Sequence, residues 1–176
     1  MKNLKVKYPF EISFLDYPSP EGWAVMLYIP GCEHNCKNCH SPDLQDFNYS
    51  YNIKNFNMDE LIREIRLTCL RNNTDKIVLT GGDPLHPKHL QNVKYLLELL
   101  YKYKFKICIY TGYDINYIKE QDIKYFEFIK CGKYIENLKQ KSEKTDNKFT
   151  LASKNQKIYN TQLQELTIDG IYYFNN

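Results

Sequence analysis

No stretch of the sequence approaches the roughly 20 consecutive apolar residues that a bilayer-spanning helix needs, which argues against a helical membrane protein. Charge of one sign is also scarce. The net charge of +3 at pH 7 is too small to indicate nucleic-acid binding, which draws on a clear basic stripe. Met1 to Phe10 carries Lys2, Lys5 and Lys7 with no apolar run behind them, so no secretory signal is expected and the reading is cytoplasmic. Internal repeats and low-complexity linkers are absent as well. In such a chain the six cysteines are expected as reduced thiols or metal ligands, not as a disulfide framework.

What is present is an ordinary globular balance, 43% hydrophobic and 26% charged over 176 residues. One domain is expected over 1–176, with a core at about 8–135 and a C-terminal loop and hairpin at 136–176. Trp23 to Ile29 is an apolar run stopped by Pro30-Gly31, and reads as a buried strand. Met58 to Leu70 has apolar residues at helical spacing (Met58, Leu61, Ile62, Ile65, Cys69), with Asn57 placed to cap it and Glu60 at the third helical position. Lys76–Leu79 reads as a second strand ended by Gly81-Gly82-Asp83-Pro84, and His89 to Tyr103 as a second helix. Lys106–Tyr110 is a third strand ended by Thr111-Gly112, followed by a short helix near Ile115 to Glu120. Phe126–Lys130 is a fourth strand running into Cys131-Gly132. Lys139 to Lys157 holds six lysines against Glu143 and Asp146; it is read as a solvated loop, with a docking surface for an acidic partner as the alternative. Alternation around Asp169-Gly170 suggests a terminal β-hairpin.

Strands alternating with helices predict an α/β fold with a mostly parallel sheet and right-handed crossovers. The Gly-bearing and polar motifs each fall just after a strand, so a site is expected at the C-terminal edge of the sheet. The units are too few for a closed eight-fold barrel, which leaves an open partial (β/α) barrel.

Cys32, Cys36 and Cys39 form a C-x3-C-x2-C array within eight residues. Three thiolates on one tight loop can grip three irons of a cubane and leave the fourth iron open, whereas electron-transfer clusters normally use four cysteines. The competing reading is structural zinc, with His34 or His40 as a fourth ligand. Zinc sites usually pair two separated knuckles, and no second Cys/His pair stands at knuckle spacing. Cys69, Cys108 and Cys131 lie singly in apolar surroundings and read as buried thiols.

A C-x3-C-x2-C array directly after the first strand resembles the radical S-adenosylmethionine (SAM) enzymes. The resemblance narrows with five ordered motifs: Pro30 to Pro42 around the cysteines, Thr80 to Pro87, Tyr110 to Tyr113, Cys131 to Tyr134 and Ser153 to Gln156. From about Tyr8 to Tyr159 these are similar to the activating enzymes of anaerobic (class III) ribonucleotide reductases, a family of glycyl-radical activases. Two departures stand out. Most radical SAM enzymes carry an aromatic residue where this chain has Asn38, and many relatives carry Asp where it has Cys131.

The resemblance implies a fold, an open partial barrel of the radical SAM type, and a set of residue roles. Cys32, Cys36 and Cys39 would ligate one [4Fe-4S] cluster, whose open iron is chelated by the amino and carboxylate groups of SAM. Gly81, Gly82 and Asp83 would meet the methionyl end of SAM, and a plain strand-to-helix turn is the alternative for them. Asn38 and His40 would flank its adenosyl part; His40 could equally cap the loop, and His34 could orient a sulfur. Thr111, Gly112 and Tyr113 would line the same pocket, with an aromatic plug as the alternative for Tyr113. His86 and His89 are not expected as ligands. The implied reaction is reductive cleavage of SAM to a 5′-deoxyadenosyl radical, which generates a glycyl radical on the reductase large subunit. The electron donor implied is a flavodoxin-type protein. The rivals are another small radical SAM enzyme, or a non-enzymatic zinc or electron-transfer module.

Overall fold

A computed structural model describes residues 2–174; Met1, Asn175 and Asn176, which the single-domain expectation takes in, lie outside the described residues. The chain runs β1 (Asn3–Lys7), β2 (Glu11–Ser13), β3 (Ala24–Ile29), β4 (Ile53–Asn57), α1 (Met58–Arg71), β5 (Lys76–Gly81), α2 (Leu90–Lys102), β6 (Lys106–Tyr110) and α3 (Ile115–Glu120). It continues through β7 (Phe128–Cys131), β8 (Glu143–Lys144), β9 (Lys148–Thr150), β10 (Lys157–Asn160), β11 (Thr167–Ile168) and β12 (Ile171–Tyr173). Short 3-10 turns occupy Pro42–Gln45 and Glu136–Leu138. Among the described residues no helix is long and apolar enough to cross a membrane.

The main sheet has six strands in the order β10-β7-β6-β5-β3-β2. The four strands expected from sequence lie side by side and parallel, in register Leu27–Leu79–Ile109–Ile129. The expectation of a mostly parallel sheet is corrected, because β2 and β10 add antiparallel to the two edges and make the sheet mixed. Both edge strands are short, and neither shows the continuous apolar run of a buried parallel strand. β1 and β4 form a separate antiparallel pair, and β11-β12-β9-β8 a small second sheet. The strand expected at Phe126–Lys130 begins two residues later, after a turn in which Tyr125 has φ +68°.

Helices α1 and α3 have side-chain caps, at Asn57 and Asp114, whereas α2 forms on its apolar spacing without one. The Asn57 side chain accepts from Glu60 N–H at 2.9 Å, and α1 buries Met58, Leu61, Ile62, Ile65 and Cys69. Helix α2 buries Leu90, Val93, Leu96, Leu97 and Leu100. These stripes cover one face of the sheet, packing with Val25, Leu27, Ile29, Ile77, Leu79, Ile107, Ile109 and Ile129. Each such side chain, fully buried, contributes about 1.5–3 kcal/mol. The opposite face carries Ala24, Met26, Val78 and Cys108, closed over by Tyr17. The Tyr17 ring packs edge-on to Phe128 and its hydroxyl donates to Glu127.

The reading of Lys139 to Lys157 as a solvated loop is also corrected. The segment holds β8, β9 and the start of β10, with Phe149 and Leu151 in a core of their own beside Ile158. Lys144 is buried, and its ammonium donates to the Phe14 carbonyl at 2.8 Å. Lysine stems cover apolar surface well, so the lysine-rich composition hid two strands. The terminal hairpin forms as expected, β11 pairing with β12 about Asp169-Gly170.

Candidate functional site

The three cysteines lie on an irregular loop that leaves the C-terminal end of β3. Gly31 N–H donates to the Leu44 carbonyl at 2.8 Å, Cys32 N–H to Gln45 at 3.0 Å and Cys39 N–H to Cys36 at 3.2 Å. The backbone of this loop is therefore tied to the turn that follows it. Cys32, Cys36 and Cys39 are each partly exposed, whereas Cys69, Cys108 and Cys131 are buried.

The neighbouring strand end clamps the loop from the side. Gly82 N–H donates to the Ile29 carbonyl at 2.8 Å, and Asp83 N–H to that of Gly31 at 2.9 Å. This contact explains the diglycine physically. Gly81 has φ +116°, and a Cβ there would stand 2.5 Å from Ile29 N. At Gly82 a Cβ would stand 2.5 Å from the Leu44 carbonyl and 2.6 Å from Gly31 N. Any larger residue would push the cysteine loop away.

Asp83 is the hub of the site. Its side chain is fully buried, yet every donor around it is satisfied. One carboxylate oxygen accepts from Leu85 N–H at 2.9 Å and the Thr111 hydroxyl at 2.9 Å. The other accepts from Gly112 N–H at 2.8 Å and His34 Nε2–H at 2.6 Å. Its carbonyl accepts from His89 Nε2–H at 2.5 Å, which fixes the tautomer of that ring. Burial holds His89 below the usual histidine range. His34 thus ties the cysteine loop to β5, and its own N–H points at Cys32 Sγ at 3.5 Å. The His34 ring also meets Tyr113 edge-on at 4.6 Å, and Tyr113 stacks on Tyr117.

A second clamp lies outside the first. His86 Nδ1 accepts from Lys88 N–H, so its Nε2–H donates to Glu33 at 3.2 Å. Lys88 reaches the same carboxylate at 3.1 Å. These two donors hold the Glu33 carboxyl below the ordinary range.

Of the residues singled out from sequence, Cys32, Gly82, Asp83 and Thr111 come together. Cys32 Sγ, His34 and Asp83 offer ligand atoms within 4.8 Å of one another. Asn38 and His40 lie on the exposed rim of the loop, Asn38 with φ +57°. Cys131 sits among the helix-side core residues. The Asp83–His34 bond and the Glu33–His86–Lys88 clamp escaped sequence reading, because residues 49 apart meet only through the Ile29–Gly81 register.

Burial, with Asp83 and the other two cysteines adding to it, pushes the Cys32 thiol up to about 11. Three soft sulfur donors crowded on one loop suit a polycationic iron–sulfur core that needs thiolates. The donor set fits such a group. A single hard divalent ion would instead draw on Asp83, whose oxygens are already committed to protein donors.

The description "4Fe-4S single cluster domain" matches residues 19–159 of the chain. Proteins named anaerobic ribonucleoside-triphosphate reductase-activating protein are similar over most of it. The one from Enterobacteria phage T4 is 30% identical over 130 residues, 70% of this chain and 78% of that protein. That of Escherichia coli K12 is 26% identical over 136 residues, 73% and 85% respectively. That of Haemophilus influenzae is 27% identical over 129 residues, 69% and 80%.

Proposed function

The chain belongs to the 4Fe-4S single cluster domain family and, within it, groups with the anaerobic ribonucleoside-triphosphate reductase-activating proteins, and from that premise we propose that it is a radical SAM activase of an anaerobic ribonucleotide reductase. The observation that carries the reading is the cysteine loop, locked through Gly82, Asp83 and His34 onto the next strand end. In this reading the thiolates of Cys32, Cys36 and Cys39 hold three irons of one cluster. When bound, the [4Fe-4S] cluster supplies the single electron that cleaves the sulfur–C5′ bond of SAM. The products are methionine and a 5′-deoxyadenosyl radical, which takes a hydrogen atom from a glycine of the reductase large subunit. A flavodoxin-type protein is the proposed source of the electron, and a reducing cytoplasm the proposed location.

The chain's own residues bind and orient. Gly81, Gly82, Asp83 and Thr111 border the SAM site, with Asn38 and His40 on its adenosyl side. The N–H groups of Gly82 and Asp83 are spent on the carbonyls of Ile29, at the end of β3, and Gly31, so this turn meets SAM through carbonyl oxygen, an acceptor for the amino group. Asp83 and His34 are positioning residues: they fix the loop and exclude water from behind Cys32. The six-stranded sheet acts as an open partial barrel of the radical SAM type, and the chain acts as one domain.

The test is anaerobic reconstitution with iron and sulfide, reduction, addition of SAM and assay for 5′-deoxyadenosine. Product is expected, and it disappears when any of the three cysteines becomes Ala. A glycyl-radical signal on added reductase then completes the assignment. Failure of a well-assembled cluster to yield product sinks the SAM chemistry, and zinc without labile sulfide points to a binding module.

A further inference from the structure

A cleft of about 260 Å³ opens between α2, the turn that leads into β7 and the residue before β1. None of its lining residues belongs to the cysteine loop or to the strand ends that hold it. Helix α2 offers Gln91, Lys94, Tyr95 and Glu98 at helical spacing, and the turn offers Asp122, Lys124 and Tyr125. The turn is strained. Asp122 has φ +50°, which a short polar residue tolerates, but Tyr125 has φ +68°, which a bulky side chain rarely adopts. That backbone sets the Tyr125 ring against Tyr101 of α2, with centroids 4.9 Å apart. Strain of this kind gathers where a chain is shaped for a ligand.

The polar groups of the cleft divide into committed acceptors and free donors. Glu98 pairs with Lys102 at 2.8 Å, and Asp122 with Lys124 at 3.0 Å. Lys94 stands one turn before Glu98, yet among the described residues it makes no ion pair or hydrogen bond. Lys2 makes none there either; its ammonium lies 4.0 Å from the Tyr95 ring centroid, which holds it over the cleft. The Tyr95 and Tyr125 hydroxyls are likewise without hydrogen bonds among the described residues. The cleft thus presents two free ammonium groups, two phenol hydroxyls and the Gln91 amide, while lysines already neutralise both carboxylates.

We propose that this cleft binds the phosphate monoester of a small metabolite, a nucleotide or a sugar phosphate, with Lys2 and Lys94 as its anchors. The inference stands apart from the SAM reading. A phosphate monoester brings nearly two negative charges at pH 7 and three acceptor oxygens, which matches paired ammonium groups with hydroxyls beside them better than a carboxylate does. The volume is several times what a free phosphate fills, so the Tyr and Gln91 walls are left for the attached sugar or base. The bound ligand braces three segments, ahead of β1, on α2 and ahead of β7.

Isothermal titration of the anaerobically reconstituted protein at constant ionic strength compares inorganic phosphate, ribose 5-phosphate, AMP and adenosine, which lacks the phosphate. Both monoesters should bind and adenosine should not. Lys94→Gln and Lys2→Gln should each weaken the monoesters by about tenfold or more, the usual effect of deleting a charged hydrogen bond, and Lys94→Arg should keep most of the affinity. Lys2 is exposed and precedes the first strand, so its variant keeps the test decisive if Lys94→Gln disturbs α2 in circular dichroism. AMP binding more tightly than ribose 5-phosphate would place a base in the cleft, and equal affinities would place a sugar phosphate; both support the site. Binding of inorganic phosphate alone would mark an adventitious ion only. That result, adenosine binding as tightly as AMP, or monoester binding unmoved by either lysine variant would overturn the proposal, as would no binding at millimolar concentration.

Discussion

Replacing Asp83 tests the site's construction most directly. Its carboxylate accepts from Leu85 N–H, Gly112 N–H, the Thr111 hydroxyl and His34. In Asp83→Ala the hydroxyl and the imidazole can turn toward other partners, and the His34 side chain is 12% exposed to water. The two backbone donors cannot re-aim. Each buried donor left unpaired costs about 1–3 kcal/mol, so the substitution should cost about 2–6 kcal/mol. That is a large share of the roughly 5–15 kcal/mol by which a domain is stable. Asp83→Asn keeps the volume and one acceptor oxygen, and strands chiefly Gly112 N–H, for about 1–3 kcal/mol. Urea unfolding of the reduced protein measures both. A second consequence is electrostatic. The Asp83 charge is one of the causes, after burial, that push Cys32 up to about 11. Its removal lowers that value, raises the thiolate fraction at pH 8 and accelerates alkylation of Cys32. An Asp83→Ala protein within about 1 kcal/mol of wild type, with unchanged Cys32 reactivity, would refute the hub.

Further outcomes follow from the same geometry. Iodoacetamide should label Cys32, Cys36 and Cys39 in the folded, cluster-free protein and reach Cys69, Cys108 and Cys131 only on unfolding, as mass spectrometry of the labelled peptides will show. Labelling of Cys32 should quicken as pH climbs toward about 11, the value to which its burial raises it. Gly82→Ala places a Cβ 2.5 Å from the Leu44 carbonyl; it should displace the cysteine loop, lower iron and sulfide content after reconstitution, and leave the helix content in circular dichroism near wild type. Tyr17→Ala uncovers the apolar cluster of Ala24, Met26, Val78 and Cys108 and should cost about 3–5 kcal/mol in urea unfolding; a loss under about 1 kcal/mol would mean that this face does not depend on that ring.

The parallel core of the fold was legible because its signals are local. Apolar runs of strand length ended by Gly motifs, and helices with apolar residues at helical spacing, fell within one or two residues of their observed bounds. The cysteine array was legible for the same reason. The edge strands were not, since β2 has only three residues and β10 alternates weakly. Nor was the small sheet, whose lysines read as solvent-facing until Lys144 is seen capping the Phe14 carbonyl. The diglycine was read as room for a ligand. The structure shows a second demand on the same atoms, close packing against Gly31 and Leu44, which no spacing rule reveals.

Strand parity decides what the end of β7 can do. Alternate residues of a strand face opposite ways, and Ile129 belongs to the helix-covered core. Cys131, two residues on, shares that face, is 3% exposed and has its thiol pushed up to about 12 by burial. It is a packed thiol on the wrong side of the sheet to join Cys32, Cys36 and Cys39. The residue between them, Lys130, faces the other way, with its ammonium 4.5 Å from the Tyr110 ring centroid. An acid at position 131 of this backbone would enter an apolar core, where an unpaired carboxylate is costly. A thiol there costs little, and the charged residue at this strand end, Lys130, stands one position earlier on the opposite face. Exchanging the two, Lys130→Cys with Cys131→Lys, should therefore unfold the protein rather than relocate the charge. A folded double variant by circular dichroism and urea titration would mean that the parity of β7 has been misassigned.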